Sequence, residues 1–182
     1  MTRYFAVSNL QELGSLEVHK LYKLRVDIFV HEQQTPYAEI DDTDANPTTN
    51  HILVWERTEV APSMLIGCAR LAPTTVAELK SYTGQEISLN DATPLSQLGR
   101  IAVVKEERGS GLSAELMTNA LRLAFEQYPD RDVVLTAQQP LTDFYAGYGF
   151  EVCGEQYLDS GVAHVPMVLQ AAGLEKYSGL NA

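Results

Sequence analysis

Apolar positions along this chain of 182 residues fall into alternating strand-like and helix-like runs. Arg3 to Val7 alternates as a short first strand does. A helix follows, with Ser15 able to cap it, Glu17 in its first turn, and Leu21, Leu24 and Ile28 as an apolar stripe at i, i+3 and i+7. That helix should fade near Gln33, ahead of Pro36, and the polar stretch Ala38 to Asn50 reads as a loop. His51 to Glu56 and Met64 to Leu71 suit a strand hairpin turned at Ala61-Pro62-Ser63. Ala72 to Gln97 is long and weakly periodic, as functional or mobile insertions often are. Leu98 to Val104 then predicts a central strand, and Leu112, Leu116, Ala120 and Leu123 mark one face of a helix over Gly111 to Gln127. Pro129-Asp130 ends it. Val133 to Ala137 predicts a buried strand, and Thr142 to Tyr148 a short helix closed by Gly149. Phe150 to Tyr157 and Val162 to Leu169 complete a hairpin around Asp159-Ser160-Gly161. Strands alternating with helices, then a terminal hairpin, imply an α/β domain with a mixed sheet.

The length predicts one domain over 1–182. Hydrophobic residues make up 45% and charged residues 20%, which excludes disorder. No apolar run approaches the ~20 residues that span a bilayer. Met1-Thr2-Arg3-Tyr4 leads into no signal-peptide core, so a cytoplasmic protein is expected. Cys68 and Cys153 then read as reduced, packed thiols, and no His/Cys/Asp grouping has zinc-site spacing, so no metal is expected. The net charge of -11 disfavours nucleic acid and favours cationic small molecules or basic peptides. Between Val26 and Glu56 stand seven carboxylates and no Lys or Arg. A solvated acidic face that binds nothing is the alternative reading of that stretch.

The most informative segment is Val103 to Ser113, where a buried strand meets a helix through Arg108-Gly109-Ser110-Gly111-Leu112-Ser113. Unpaired N–H groups converge at such a junction on the positive end of the helix dipole, which suits a pyrophosphate. Glycines at 109 and 111 permit positive φ and close approach of the backbone to a ligand. The spacing is neither that of a Walker loop nor of G-x-G-x-x-G. A tight structural β-to-α connection would look the same.

This hexapeptide resembles the R/Q-x-x-G-x-G/A motif of the GNAT N-acetyltransferases, whose amides bind the pyrophosphate of acetyl-coenzyme A; Ser113 departs from the Gly or Ala of the sixth position. Thirty-six residues after Arg108 begins Phe144-Tyr145-Ala146-Gly147-Tyr148-Gly149-Phe150, similar to the family's F-Y-x-x-x-G-F. Arg25-Val26-Asp27-Ile28-Phe29-Val30-His31-Glu32-Gln33 resembles the opening of the ElaA-like branch, as do Pro36-Tyr37, Glu39-Ile40-Asp41, Ala137-Gln138 and Gly161-Val162-Ala163-His164. The resemblance covers about Leu21 to Leu169 and leaves the tail 171–182 unmatched. It implies a mixed, mostly antiparallel central sheet flanked by helices, and acetyl transfer from acetyl-coenzyme A to a primary amine of a small molecule or protein, by direct attack in a ternary complex.

The resemblance also implies site roles. Ile101 and Val103 lie on the strand whose backbone polarises the thioester, and Arg108, Gly109, Ser110, Gly111, Leu112 and Ser113 hold the phosphates. Tyr145 faces the coenzyme sulfur as general acid, the alternative being an aromatic that only packs beside Phe144 and Tyr148. Glu32 borders the acceptor cleft and is the candidate base or amine-binding group. Asp41, Asp42 and Asp44 can attract the amine, although a solvated loop explains at least two of them. His51 and His164 read equally as proton relays at the substrate or as structural histidines, and Gln138 can orient substrate or coenzyme. Gly147 rules out a nucleophile elbow. Expected partners are therefore the amine acceptor, with no nucleic acid and no membrane, and self-association left open.

Two rivals stand beside this reading. Arg25, Phe29, Asp41, Asp44 and Arg70 fall at spacings similar to those of acyl-homoserine-lactone synthases. Against that, a tryptophan shortly after Phe29 is missing, and Gln97 stands in place of a catalytic Glu. The second rival is a non-catalytic acyl-coenzyme A sensor.

Overall fold

The computed structural model describes residues 2–36, 38–59, 61–87 and 89–179. Tyr37 of the sequence motif and Leu180 to Ala182 of the tail lie outside the described residues. Eight strands form a mixed, mostly antiparallel sheet flanked by helices. The chain divides into two compact units, Met1–Ala72 with Gly99–Ala120, and Pro73–Leu98 with Leu121–Ala182.

In the first unit, β1 (Thr2–Ser8), β2 (Asn50–Arg57) and β3 (Met64–Thr75) form an antiparallel ladder from Thr2↔Arg57 and Ser8↔His51 to Asn50↔Leu71. Helix α1 (Ser15–Arg25) starts one residue earlier than expected, because Gly14 rather than Ser15 takes the cap position and donates its N–H to Glu17 Oε2 at 2.8 Å. Its predicted stripe of Leu21, Leu24 and Ile28 packs on Leu53, Trp55, Leu65 and Cys68. Full burial of each such side chain contributes about 1.5–3 kcal/mol. Beyond Arg25 the helix widens: over Val26–Glu32 it is π-helical, and Gln33 N–H reaches Ile28 O, five residues back, at 2.9 Å.

In the second unit, β5 (Val133–Gln138) pairs antiparallel with β8 (Val162–Leu169) from Val133↔Leu169 to Gln138↔His164. The first part of β4 (Pro94–Val103) runs parallel to β5 through Ser96↔Val133 and Gln97↔Val134. The weakly periodic stretch is better structured than its pattern suggests. β3 continues to Thr75, then α2 (Val76–Thr83) forms with Thr75 Oγ1 accepting Glu78 N–H at 3.3 Å. Val76 and Leu79 pack on Leu95 and Val134.

The expected strand from Phe150 to Tyr157 is two pieces, β6 (Glu151–Val152) and β7 (Tyr157–Asp159), both on β8. The cause is Pro166. Its carbonyl accepts Cys153 N–H at 3.0 Å, but it has no N–H to return, so the ladder breaks beside it. Gln85 patches the gap: its Oε1 accepts Glu155 N–H at 2.8 Å and its amide nitrogen donates to Glu155 O. The β7–β8 turn forms as expected, with Ser160 and Gly161 both at positive φ (51° and 85°), the geometry of a two-residue hairpin turn.

Candidate active site

The glycine turn lies in the first unit, between the end of β4 and α3 (Leu112–Gln127). Val104 N–H donates to Ile66 O at 3.0 Å, one 3-10 turn covers Lys105–Glu107, and Arg108 is extended. Gly109 and Gly111 then take φ of +81° and +91°, where a side chain would be strained. A Cβ at either position would meet nothing within 4 Å, so the space over the turn is open. Ser110 donates its N–H to Glu107 O at 3.3 Å and receives that of Leu112 on its Oγ at 3.4 Å. Gly111 O accepts from Ala114 and Glu115. The N–H groups of Gly109, Gly111 and Ser113 go to no acceptor among the described residues. Uncommitted donors, open space and the positive end of a 16-residue helix together fit a diphosphate.

The π-helical segment carries Glu32 to Arg108. The contact is two-pronged, with Nη1 to Oε1 at 2.5 Å and Nη2 to Oε2 at 3.1 Å, and Arg108 Nε donates to Val103 O at 3.3 Å. The hydrogen bond from Arg108 holds the Glu32 carboxyl below the usual range, and Glu32 raises Arg108 in return. Helices widen in this way disproportionately at functional sites.

The acidic stretch is not a field of bare negative charge, which corrects the picture from sequence. Arg25, Arg70 and Arg100 enter it from other elements. Asp44 is fully buried and accepts from Arg25 Nη1 at 2.6 Å, Arg25 Nη2 at 3.1 Å, Arg70 Nη1 at 2.8 Å and Asp41 N–H at 3.1 Å. Burial alone would raise its pKa, but the Arg25 and Arg70 contacts outweigh that and bring it to about 2. Asp41, 32% exposed, binds Arg70 Nη1 at 2.7 Å and Arg100 Nη2 at 3.1 Å. Glu39 Oε1 takes Arg25 Nε at 2.8 Å and Arg100 Nε at 3.2 Å, while its Oε2 is buried with no partner among the described residues. That unrelieved desolvation raises Glu39 despite the arginines. Arg100 reaches in from a left-handed backbone (φ 53°), a local distortion of β4 immediately before Ile101. Ile101 is half-buried and Val103 buried. His51 is buried beneath this loop with Nε2 at 3.0 Å from Asp44 O, and burial lowers its pKa.

The second unit carries the other expected residues. Tyr145 lies in α4 (Thr142–Ala146), buried, edge-on to Phe144 (5.2 Å) and Phe150 (6.2 Å). Burial first, and then the neighbouring Tyr148, push its hydroxyl up to about 12. Gln138 and Tyr157 are both register partners of His164, so the three form a row on one face across β5, β8 and β7. His164 Nδ1 lies 2.9 Å from Val162 O, which can only accept, so Nδ1 carries a hydrogen. Tyr157 was missed from sequence. The signal was the Ser160-Gly161 turn, which fixes Asp159↔Val162 and hence Tyr157↔His164. Both cysteines are free thiols, and burial pushes Cys68 up to about 12. Among the described residues no group of His, Cys, Asp or Glu is placed to hold a metal ion, and no helix is long and apolar enough to cross a membrane.

A profile of the acetyltransferase (GNAT) domain matches residues 77–171. Protein ElaA of Escherichia coli (strain K12) is 33% identical over 163 residues, 88% of this chain and 94% of that protein. The chain belongs to the GNAT acetyltransferase family. It is an ElaA-like acyltransferase, and the GNAT fold implies an acyl-coenzyme A cosubstrate. A crystal structure of an acyl-CoA N-acyltransferase from Pseudomonas aeruginosa superposes with a TM-score of 0.75 at 28% identity, over 92% of this chain and 99% of that one. A coenzyme A-dependent acyl-homoserine lactone synthase superposes at 0.70 with 20% identity, over 97% of this chain and 88% of that one, a likeness of fold alone.

Proposed function

We propose that this GNAT protein transfers an acetyl group from acetyl-coenzyme A to a primary amine of a small molecule or a protein, by direct attack in a ternary complex in the cytoplasm. The observation that carries the reading is the glycine turn, with three uncommitted N–H groups under open space at the head of α3. When bound, acetyl-coenzyme A supplies an activated thioester; the rest is the work of this chain's residues. Gly109, Gly111 and Ser113 take the phosphates on their amides, flanked by Arg108, Ser110 and Leu112. The backbone at Ile101 and Val103 polarises the carbonyl, and Gln138 orients the reacting end. Tyr145 gives a hydrogen bond or proton to the departing sulfur. On the acceptor side, Glu32 and His164 handle the ammonium proton, and Asp41 is the exposed member of the ion network available to an amine. His51, buried behind that network, acts through the loop it supports.

The acyl-homoserine-lactone synthase reading remains the alternative, because Arg25, Asp41, Asp44 and Arg70 do converge in the network. One experiment separates the readings: acetyl-coenzyme A with a panel of amines that includes S-adenosylmethionine, whose carboxylate can close on its own chain with loss of the thioether, following thiol release and identifying the product by mass. An N-acetylated amine supports the proposal. A lactone product supports the alternative, and coenzyme binding without thiol release across the panel supports a sensor.

A further inference from the structure

Arg108 immediately precedes the first of the uncommitted N–H groups, yet both of its Nη atoms are occupied by Glu32. We propose that Glu32 and the coenzyme phosphates compete for the Nη1–Nη2 edge of Arg108, so that Glu32 weakens donor binding while the pair is closed and is uncovered for the acceptor once the donor is in place. The inference rests on the phosphate role given above to the glycine turn.

Three observations carry it. The Nη1–Nη2 edge of the guanidinium is taken by the carboxylate and Nε by Val103 O, so a phosphate seated on the Gly109 and Gly111 amides can grip that edge with two prongs only by displacing Glu32. The pair is exposed, at 41% and 40% of its side-chain surface, so either partner can swing into water without opening the core. Such a pair is also weakly held, and a phosphate can itself bind arginine with two prongs. The other charges acting on the pair are Lys105 beside Glu32 and Glu106 beside Arg108, both from the 3-10 turn that leads into the glycines. Once released, the Glu32 carboxylate loses the contact that holds it below its usual range and becomes a better proton acceptor. Donor binding thus frees the Glu32 carboxylate for the acceptor side.

Calorimetric titration of coenzyme A into wild type, Glu32→Gln, Arg108→Gln and the double variant at low salt tests this. Glu32→Gln should tighten coenzyme A about two- to fivefold, the scale of an exposed ion pair, and the gain should vanish in the Arg108→Gln background. In steady state the Glu32→Gln donor KM should fall while kcat does not rise. Arg108→Lys, which keeps the charge without the two-pronged contact, should reduce the gain and serves if Arg108→Gln binds too weakly to titrate. Unchanged or weaker binding by Glu32→Gln overturns the competition. So does an equal gain without Arg108, which would mark simple repulsion of the phosphates. Should wild type fail to bind coenzyme A at all, it is the phosphate role of the turn that falls.

Discussion

Replacing Tyr145 by Phe removes one oxygen from a buried ring and leaves its edge-on contacts with Phe144 and Phe150 in place. The hydroxyl is pushed up to about 12, so at pH 8 roughly one molecule in ten thousand is ionised, and the group is a hydrogen donor throughout the working range. A thiol ionises near ~8.5, so a departing thiolate is the weaker base and complete transfer from Tyr145 is uphill; donation of a hydrogen bond that strengthens as charge builds on sulfur fits better. Such acid–base assistance contributes about 100- to 10,000-fold, and the uphill transfer places Tyr145 at the lower end. The expected result is therefore a kcat loss near ~100-fold, with coenzyme A affinity within about twofold of wild type. The wild-type kcat profile should show no descending limb from Tyr145 below about pH 11. Thiol release under saturating acetyl-coenzyme A and amine, paired with calorimetry on coenzyme A, reads both quantities. A kcat within about twofold of wild type, or a fall in affinity matching the fall in rate, would refute the acid role and leave Tyr145 as packing.

Two further outcomes concern the rest of the molecule. Asp44→Asn leaves Arg25 buried with a donor facing it, and should cost about 3–5 kcal/mol in urea unfolding followed by the buried Trp55. Because Asp44 falls from 3.8 to about 2 in the folded state, the unfolded chain binds its proton first; the stabilisation is complete above pH ~4, lost as pH falls through 2, and worth about 2 kcal/mol that the variant should lack. Cys68, buried and raised to about 12, should resist an alkylating reagent until the protein unfolds, and the half-buried Cys153 should react slowly; mass spectrometry of the labelled chain checks both.

Long elements with one clear period were legible in the sequence. The stripe of α1, the face of α3 and the buried runs of β2, β3, β5 and β8 each bury a continuous face, and that face dictates the pattern. α2 was not read, because its apolar side is little more than Val76 and Leu79. Thr75-Val76-Ala77-Glu78 nevertheless has the capping spacing that the structure uses. The break between β6 and β7 follows from Pro166 on a strand distant in sequence. Charge counting hid the ion network for a similar reason: the acidic stretch contains no base, and its three arginines come from α1, β3 and β4, so only the synthase-like spacing grouped Arg25 and Arg70 with Asp41 and Asp44. The glycine turn was legible because backbone conformation restricts the residue locally, whereas the hold of Glu32 on Arg108 depends on how the helix after Arg25 widens.

The central claim is that the amides of Gly109, Gly111 and Ser113 hold the coenzyme phosphates. Gly111→Val tests it most directly by calorimetric titration of coenzyme A, with Gly84→Val as control. Both glycines have positive φ (91° and 68°) and open space where a Cβ would project, so both variants carry the same kind of backbone strain. Only Gly111 would add its side chain to the proposed phosphate cradle. The account predicts that Gly111→Val loses coenzyme A binding at least a hundredfold, on the order of 3 kcal/mol, while Gly84→Val binds as wild type and loses comparable thermal stability. Equal affinity in Gly111→Val and wild type would contradict it.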